Sequence, residues 1–166
     1  MKKTILLAFI LLAGYLSGWA QQQVKVCSGT VRRFEHFTSQ YVAPRNVDVW
    51  LPEGYDGKRS LPVVLFLHGS GQIGTDNRKQ LEIGLAPALR KNGMPFPFIG
   101  VFPQSQEGSW LAHTADGKLA LALLDSVERE YGTDPQRVYL TGVSMGGEGV
   151  WSLAAAHPKR FAAIVP

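Results

Sequence analysis

Apolar residues recur along this chain with two different periods. Residues 29–42, carrying Val31, Phe34 and Phe37, predict a strand, and Asn46 to Leu51, with Val47, Val49 and Leu51 on one side, predict a second. The cluster Pro52-Glu53-Gly54-Tyr55-Asp56-Gly57 breaks the alternation and reads as a turn. Beyond it the pattern changes. Pro62 to Leu67, Pro97 to Phe102, Val138 to Thr141 and Phe161 to Val165 are short continuous apolar runs, as expected of strands covered on both faces. Between them, Asp116 to Tyr131 sets Leu119, Leu123, Leu124 and Val127 at helical spacing and stops at Gly132. The alanine-rich run Val150 to His157 reads as a further helix, whereas residues 77–92 are less regular, interrupted by Gly84 and Pro87. Two hairpin-like strands followed by alternating strand and helix predict an α/β sheet, antiparallel at its start and parallel afterwards. No repeat, low-complexity tract or linker divides it, so residues 21–166 read as one domain that stops early.

The first twenty residues follow another design. Lys2 and Lys3 precede an almost wholly apolar stretch, Ile5 to Leu16, and Gly18-Trp19-Ala20 offers small residues at both recognition positions of a signal peptidase. This layout predicts a secretory signal over residues 1–20, cleaved between Ala20 and Gln21, and hence a secreted or periplasmic protein. The apolar stretch is shorter than the roughly 20 residues of a membrane-spanning helix, and no later segment approaches that length. No stable membrane span is therefore expected after signal removal. Loss of Lys2 and Lys3 lowers the formal net charge from +4 to +2, and the pairs Arg32-Arg33 and Lys58-Arg59 are isolated. Without a basic run there is no electrostatic case for a nucleic-acid partner. Cys27 is the only cysteine, which excludes a disulfide within the chain.

The candidate chemistry lies at the end of the Val138 strand. Thr141-Gly142-Val143-Ser144-Met145-Gly146-Gly147 contains Gly-x-Ser-x-Gly between a strand and a helix, the pattern of a nucleophile elbow. In such a turn Gly142 and Gly146 remove side chains that would collide, and Ser144 projects above the sheet edge. The bare pattern recurs by chance in a glycine-rich chain, with 18 glycines in 166 residues, so its weight comes from the flanking strand and helix. His68-Gly69-Ser70-Gly71 leaves the end of the Pro62 strand as a glycine-rich bend. A bend there can turn backbone amides inward, so that the N–H of Ser70 or Gly71 and that of Met145 form an oxyanion site. His68 itself, ending a buried strand, reads as a residue that orients the loop, with a place in the substrate pocket as the other possibility.

Taken in order, Leu65-Phe66-Leu67-His68-Gly69-Ser70-Gly71, Gly74-Thr75-Asp76-Asn77, Pro103-Gln104, Trp110, Gly142 to Gly147, and His157-Pro158 to Ile164-Val165-Pro166 resemble the α/β-hydrolase fold. More narrowly, they resemble secreted esterases and peptidases related to the phospholipase/carboxylesterase and dienelactone hydrolase groups. The resemblance runs from about residue 31 to the last residue. It implies a Ser–His–Asp triad with Ser144 as nucleophile, no cofactor and no metal, and a small-molecule or polysaccharide ester as substrate. It also suggests Trp110 as a wall of the acyl or leaving-group pocket, or as simple packing.

The chain departs from that pattern at its end. The resemblance implies an acid after the seventh strand and a histidine after the eighth, and the sequence stops at what should be the end of the sixth. His157, 13 residues beyond Ser144 on one helix, is about 20 Å from it at 1.5 Å per residue. His36 falls in an early strand, His113 in a loop, Asp125 on a helix surface and Asp134 in a turn. The expectation is therefore the N-terminal part of an ester hydrolase, lacking the last two strands and itself inactive. The alternatives are a non-catalytic secreted fragment or binding module, and a serine peptidase of the same fold.

Overall fold

The computed structural model describes residues 29–39, 42–92 and 97–166. The expected signal segment, the Ala20–Gln21 junction and Cys27 lie outside these residues, as do the side chains of Phe34, His36 and Phe37. Six strands form one sheet: β1 (Gly29–Ser39), β2 (Val42–Pro52), β3 (Val63–Leu67), β4 (Ile99–Phe102), β5 (Val138–Gly142) and β6 (Ala163–Val165), in the order β1-β2-β4-β3-β5-β6. β1 pairs antiparallel with β2, and β2 antiparallel with β4. The remaining neighbours, β4 with β3, β3 with β5 and β5 with β6, are parallel. This is the mixed sheet expected from the switch in hydrophobic period.

Alternation along the strands sorts side chains onto two faces. Val47, Val49 and Leu51 of β2, Val63, Leu65 and Leu67 of β3 and Ile99 and Val101 of β4 share one buried cluster with Leu119, Leu123 and Val127 of helix α2 (Ala115–Tyr131) and Val150 and Leu153 of helix α3 (Met145–Ala156). Trp50, Phe66, Phe98 and Phe102 point the other way and pack with Ala86 and Leu89 of helix α1 (Leu85–Asn92). Both faces are thus covered, which explains why the central strands read as unbroken apolar runs. Among the described residues no helix is long and apolar enough to cross a membrane.

Among the strands, β1 ends at Ser39 and β2 already begins at Val42 rather than Asn46, while β6 covers only Ala163–Val165 of the run from Phe161. Two helix starts also differ from the sequence reading, each for a local reason. Gly84 (φ 63°) and Pro87 do not interrupt a helix but begin one: Pro87 is the third residue of α1, within the first turn, where a missing N–H costs nothing. α3 starts at Met145 rather than Val150, because Gly146, Gly147 and Gly149 depress helix propensity without preventing the turn from forming.

Candidate active site

The turn from β5 into α3 is held in a conformation that few residues adopt. Ser144 has φ 55° and ψ −119°, one of two non-glycine residues with positive φ among those described. A β-carbon on Gly146 would sit 2.0 Å from the Leu67 carbonyl oxygen, and one on Gly142 would sit 2.6 Å from the Gly146 backbone. Both glycines are therefore required by backbone crowding. The Val143 N–H donates to the Leu67 carbonyl (3.1 Å), which locks the turn onto the end of β3. Ser144 is left exposed, with its hydroxyl above the rim where the parallel strands end.

The bend after β3 lies against this serine. A β-carbon on Gly69 would be 3.5 Å from Ser144 Cβ and 3.4 Å from the Val143 carbonyl. Ser70 and Gly71, both exposed, open a single 3-10 turn over Ser70–Gln72. Met145 is the first residue of α3, so its N–H has no acceptor within the helix. The amides expected to hold an oxyanion thus belong to two segments packed around Ser144.

His68 and Trp110 lie behind the site instead of lining open space. His68 is fully buried. Its Nε2 accepts from the Ser105 N–H (2.9 Å), so Nδ1 carries the ring proton and donates to the Gly69 carbonyl (2.7 Å). Burial lowers its pKa, partly opposed by the Gly69 bond and by the Asp116 charge. The indole Nε1 of Trp110 donates to the His68 carbonyl (3.0 Å), and its ring meets the imidazole edge-on. Trp110 is 1% exposed, and its Cβ would lie 2.3 Å from a β-carbon on Gly149 of α3. Both residues brace the loop, and neither ring nitrogen of His68 is free to serve Ser144.

The other histidines, and the acids Asp125 and Asp134, stand away from the serine. The Ala112 N–H donates to Ser152 Oγ, which sets neighbouring His113 beside a point eight residues along α3 from Ser144, about 12 Å at 1.5 Å per residue. His157 caps the far end of that helix. β1, which carries His36, is four strand spacings from β5, about 19 Å. Asp125 pairs with Arg160, and Asp134 with Arg137, the latter at the start of the sheet, where its N–H donates to the Leu61 carbonyl. A cleft lined by Arg32, Leu51, Tyr55 and Tyr131 likewise opens at that opposite end. Among the described residues no group of three or more His, Cys, Asp or Glu could hold a metal ion.

Ser105 and Asp116 were given no part in the site by the sequence reading, and Gln104 entered it only within the Pro103-Gln104 motif, with no role. Asp116, fully buried in the first turn of α2, accepts through Oδ2 from Ser105 Oγ (2.6 Å) and from the Gln106 and Glu107 amides (3.1 and 2.9 Å). Ser105 in turn reaches His68. The Pro103-Gln104 pair after a strand was the available signal, but nothing local distinguishes such a corner from an ordinary loop.

A model of the Esterase family, described as "Putative esterase", matches residues 39–165. Among curated proteins, a bifunctional acetylxylan esterase/xylanase of Neocallimastix patriciarum is 28% identical over 127 residues, which is 75% of this chain and 18% of that protein. The "Probable carboxylic ester hydrolase LipM" of Mycobacterium tuberculosis is 31% identical over 120 residues, 72% of this chain and 27% of that one. A solved structure of a mutant feruloyl esterase module from Clostridium thermocellum, complexed with sinapinate, matches with a TM-score of 0.61 at 21% identity, covering 86% of this chain and 56% of that one. The chain spans less than a third of the length of those two curated relatives.

Proposed function

The chain belongs to the Esterase family and has the α/β-hydrolase fold, and on that premise we propose that the protein is an exported serine hydrolase of carboxylic esters. Residues 1–20 act as the signal and residues 21–166 form the N-terminal part of the catalytic domain. Ser144 Oγ attacks the ester carbonyl, and the N–H groups of Met145 and of Ser70 or Gly71 stabilise the oxyanion. The alcohol departs with a proton from a histidine, and water then releases the acid from the acyl-enzyme. That histidine and its acid partner come from protein beyond these residues. The observation that carries the reading is the backbone of Ser144, held at φ 55° by two glycines that tolerate no β-carbon; strain of this kind collects at functional sites.

The substrates proposed are acyl groups on plant polysaccharide or on small alcohols, supported by the acetylxylan esterase activity in one relative's name and the feruloyl esterase module of a structural neighbour. Ser144→Ala in the full-length protein should lower turnover of p-nitrophenyl acetate by several orders of magnitude while the melting temperature stays within a few degrees. Wild-type turnover in that variant would eliminate Ser144 as nucleophile.

A further inference from the structure

His68 and Trp110 brace the start of the loop proposed to bind the oxyanion, at His68 and Gly69, but beyond Gly69 it has little apolar packing to hold it in place. No residue of the 3-10 turn Ser70–Gln72 is buried, Ile73 is half-buried and belongs to neither core cluster, and Gly74, Thr75 and Asp76 add no apolar packing to either. A segment with so little buried apolar contact takes its position mainly from hydrogen bonds. Those bonds converge on one side chain. Gln104, at the exit of β4 and 5% exposed, donates through Nε2 to the Gln72 carbonyl (3.0 Å) and to Asp76 Oδ1 (3.1 Å), and accepts through Oε1 from the Asn77 N–H (2.6 Å). The next residue extends the hold: the Ser105 carbonyl accepts from the Gly74 N–H (2.9 Å). Asp76 Oδ1 also accepts from the amides of Arg78 and Lys79, which turns the chain back toward the sheet.

We propose that Gln104 is a positioning residue for the oxyanion site, clamping residues 72–77 so that the Ser70 and Gly71 amides stand beside Ser144. The proposal rests on the esterase reading above. A carboxamide suits this place because it offers donors and an acceptor on one planar group. Glutamate would set an acceptor against the Gln72 carbonyl and the Asp76 carboxylate, and methionine would fill the space without any bond. Loop geometry fixed this way acts on the transition state, in which the oxyanion forms, more than on the bound ester.

The test is steady-state hydrolysis of p-nitrophenyl acetate by the full-length protein and its Gln104→Met and Gln104→Glu variants, well below their melting temperatures. Loss of one oxyanion donor costs about 100- to 1,000-fold in kcat, so a displaced loop is expected to cost about 10- to 100-fold, with KM changed by less than about threefold. If neither variant folds, Gly74→Ala decides. Its β-carbon would press to 3.0 Å on the Gln104 amide nitrogen from the loop side, and it should lower kcat severalfold with KM kept. Wild-type kcat in the folded variants, or a rise in KM with kcat unchanged, overturns the clamp. Ser144→Ala separates the two claims: an active wild type, an inactive Ser144→Ala and unimpaired Gln104 variants sink the clamp alone. A fully active Ser144→Ala removes the esterase site and the clamp with it.

Discussion

Ser144 occupies a backbone region in which a residue with a side chain pays of order 1–3 kcal/mol, and the close packing of Gly142 and Gly146 keeps it there. Two consequences follow for single substitutions. Ser144→Gly and Ser144→Ala both lack the hydroxyl, but only glycine is relieved of strain. The glycine variant should therefore be more stable than the alanine variant by about 1 kcal/mol, read from urea unfolding midpoints. Gly146→Ala should do the opposite, because its methyl would meet the Leu67 carbonyl at 2.0 Å. A loss of about 3 kcal/mol or a failure to accumulate folded protein is expected. At this scale much was legible in the sequence, since a Gly-x-Ser-x-Gly turn depends on its own residues. The clamp at Gln104 was not, because its partners Gln72, Asp76 and Asn77 lie about thirty residues earlier and nothing local records the meeting.

Elements were read with similar unevenness. The central strands and α2 announced themselves through apolar runs and helical spacing, with Thr114 capping α2 through Gly117 and Gly132 ending it in a left-handed conformation. α1 and the start of α3 were obscured by the residues that shape them, Pro87 in one case and three glycines in the other. The loop joining β3 to α1 depends on a neutral His68, which gives it a pH signature. Burial lowers the His68 pKa from 6.5 in the folded protein, so below that pH the unfolded chain binds the proton and the folded chain resists it. Stability is accordingly full above about pH 6.5 and falls as pH drops toward the folded pKa. Melting temperatures between pH 8 and 5 should show this decline, and His68→Gln should flatten it. Asp76, held low by the Arg78 and Lys79 amides, and Asp134, held low by Arg137, lose their contribution only below 3.8, outside that window.

For the molecule as a whole, the sheet order sets function. β3, β4 and β5 run parallel, so their carboxyl ends bring Ser144, the His68–Gly71 bend and the Gln104–Ser105 corner to one rim. The switch from antiparallel to parallel could be read from the change of hydrophobic period, but the order β1-β2-β4-β3-β5-β6 could not. It is decided by pairings between strands far apart in the chain, such as Val63 with Val138. No described histidine reaches Ser144, so residues 21–166 expressed alone should show no esterase turnover above background, whereas the full-length protein should be active. The central claim is that Ser144 is the nucleophile, and its most direct test is covalent. The full-length protein is treated with a fluorophosphonate, digested and mapped by mass spectrometry. A single stoichiometric adduct on Ser144, absent after Ser144→Ala, is the predicted result; ester turnover with the adduct on another residue, or with Ser144 unlabelled, would contradict it.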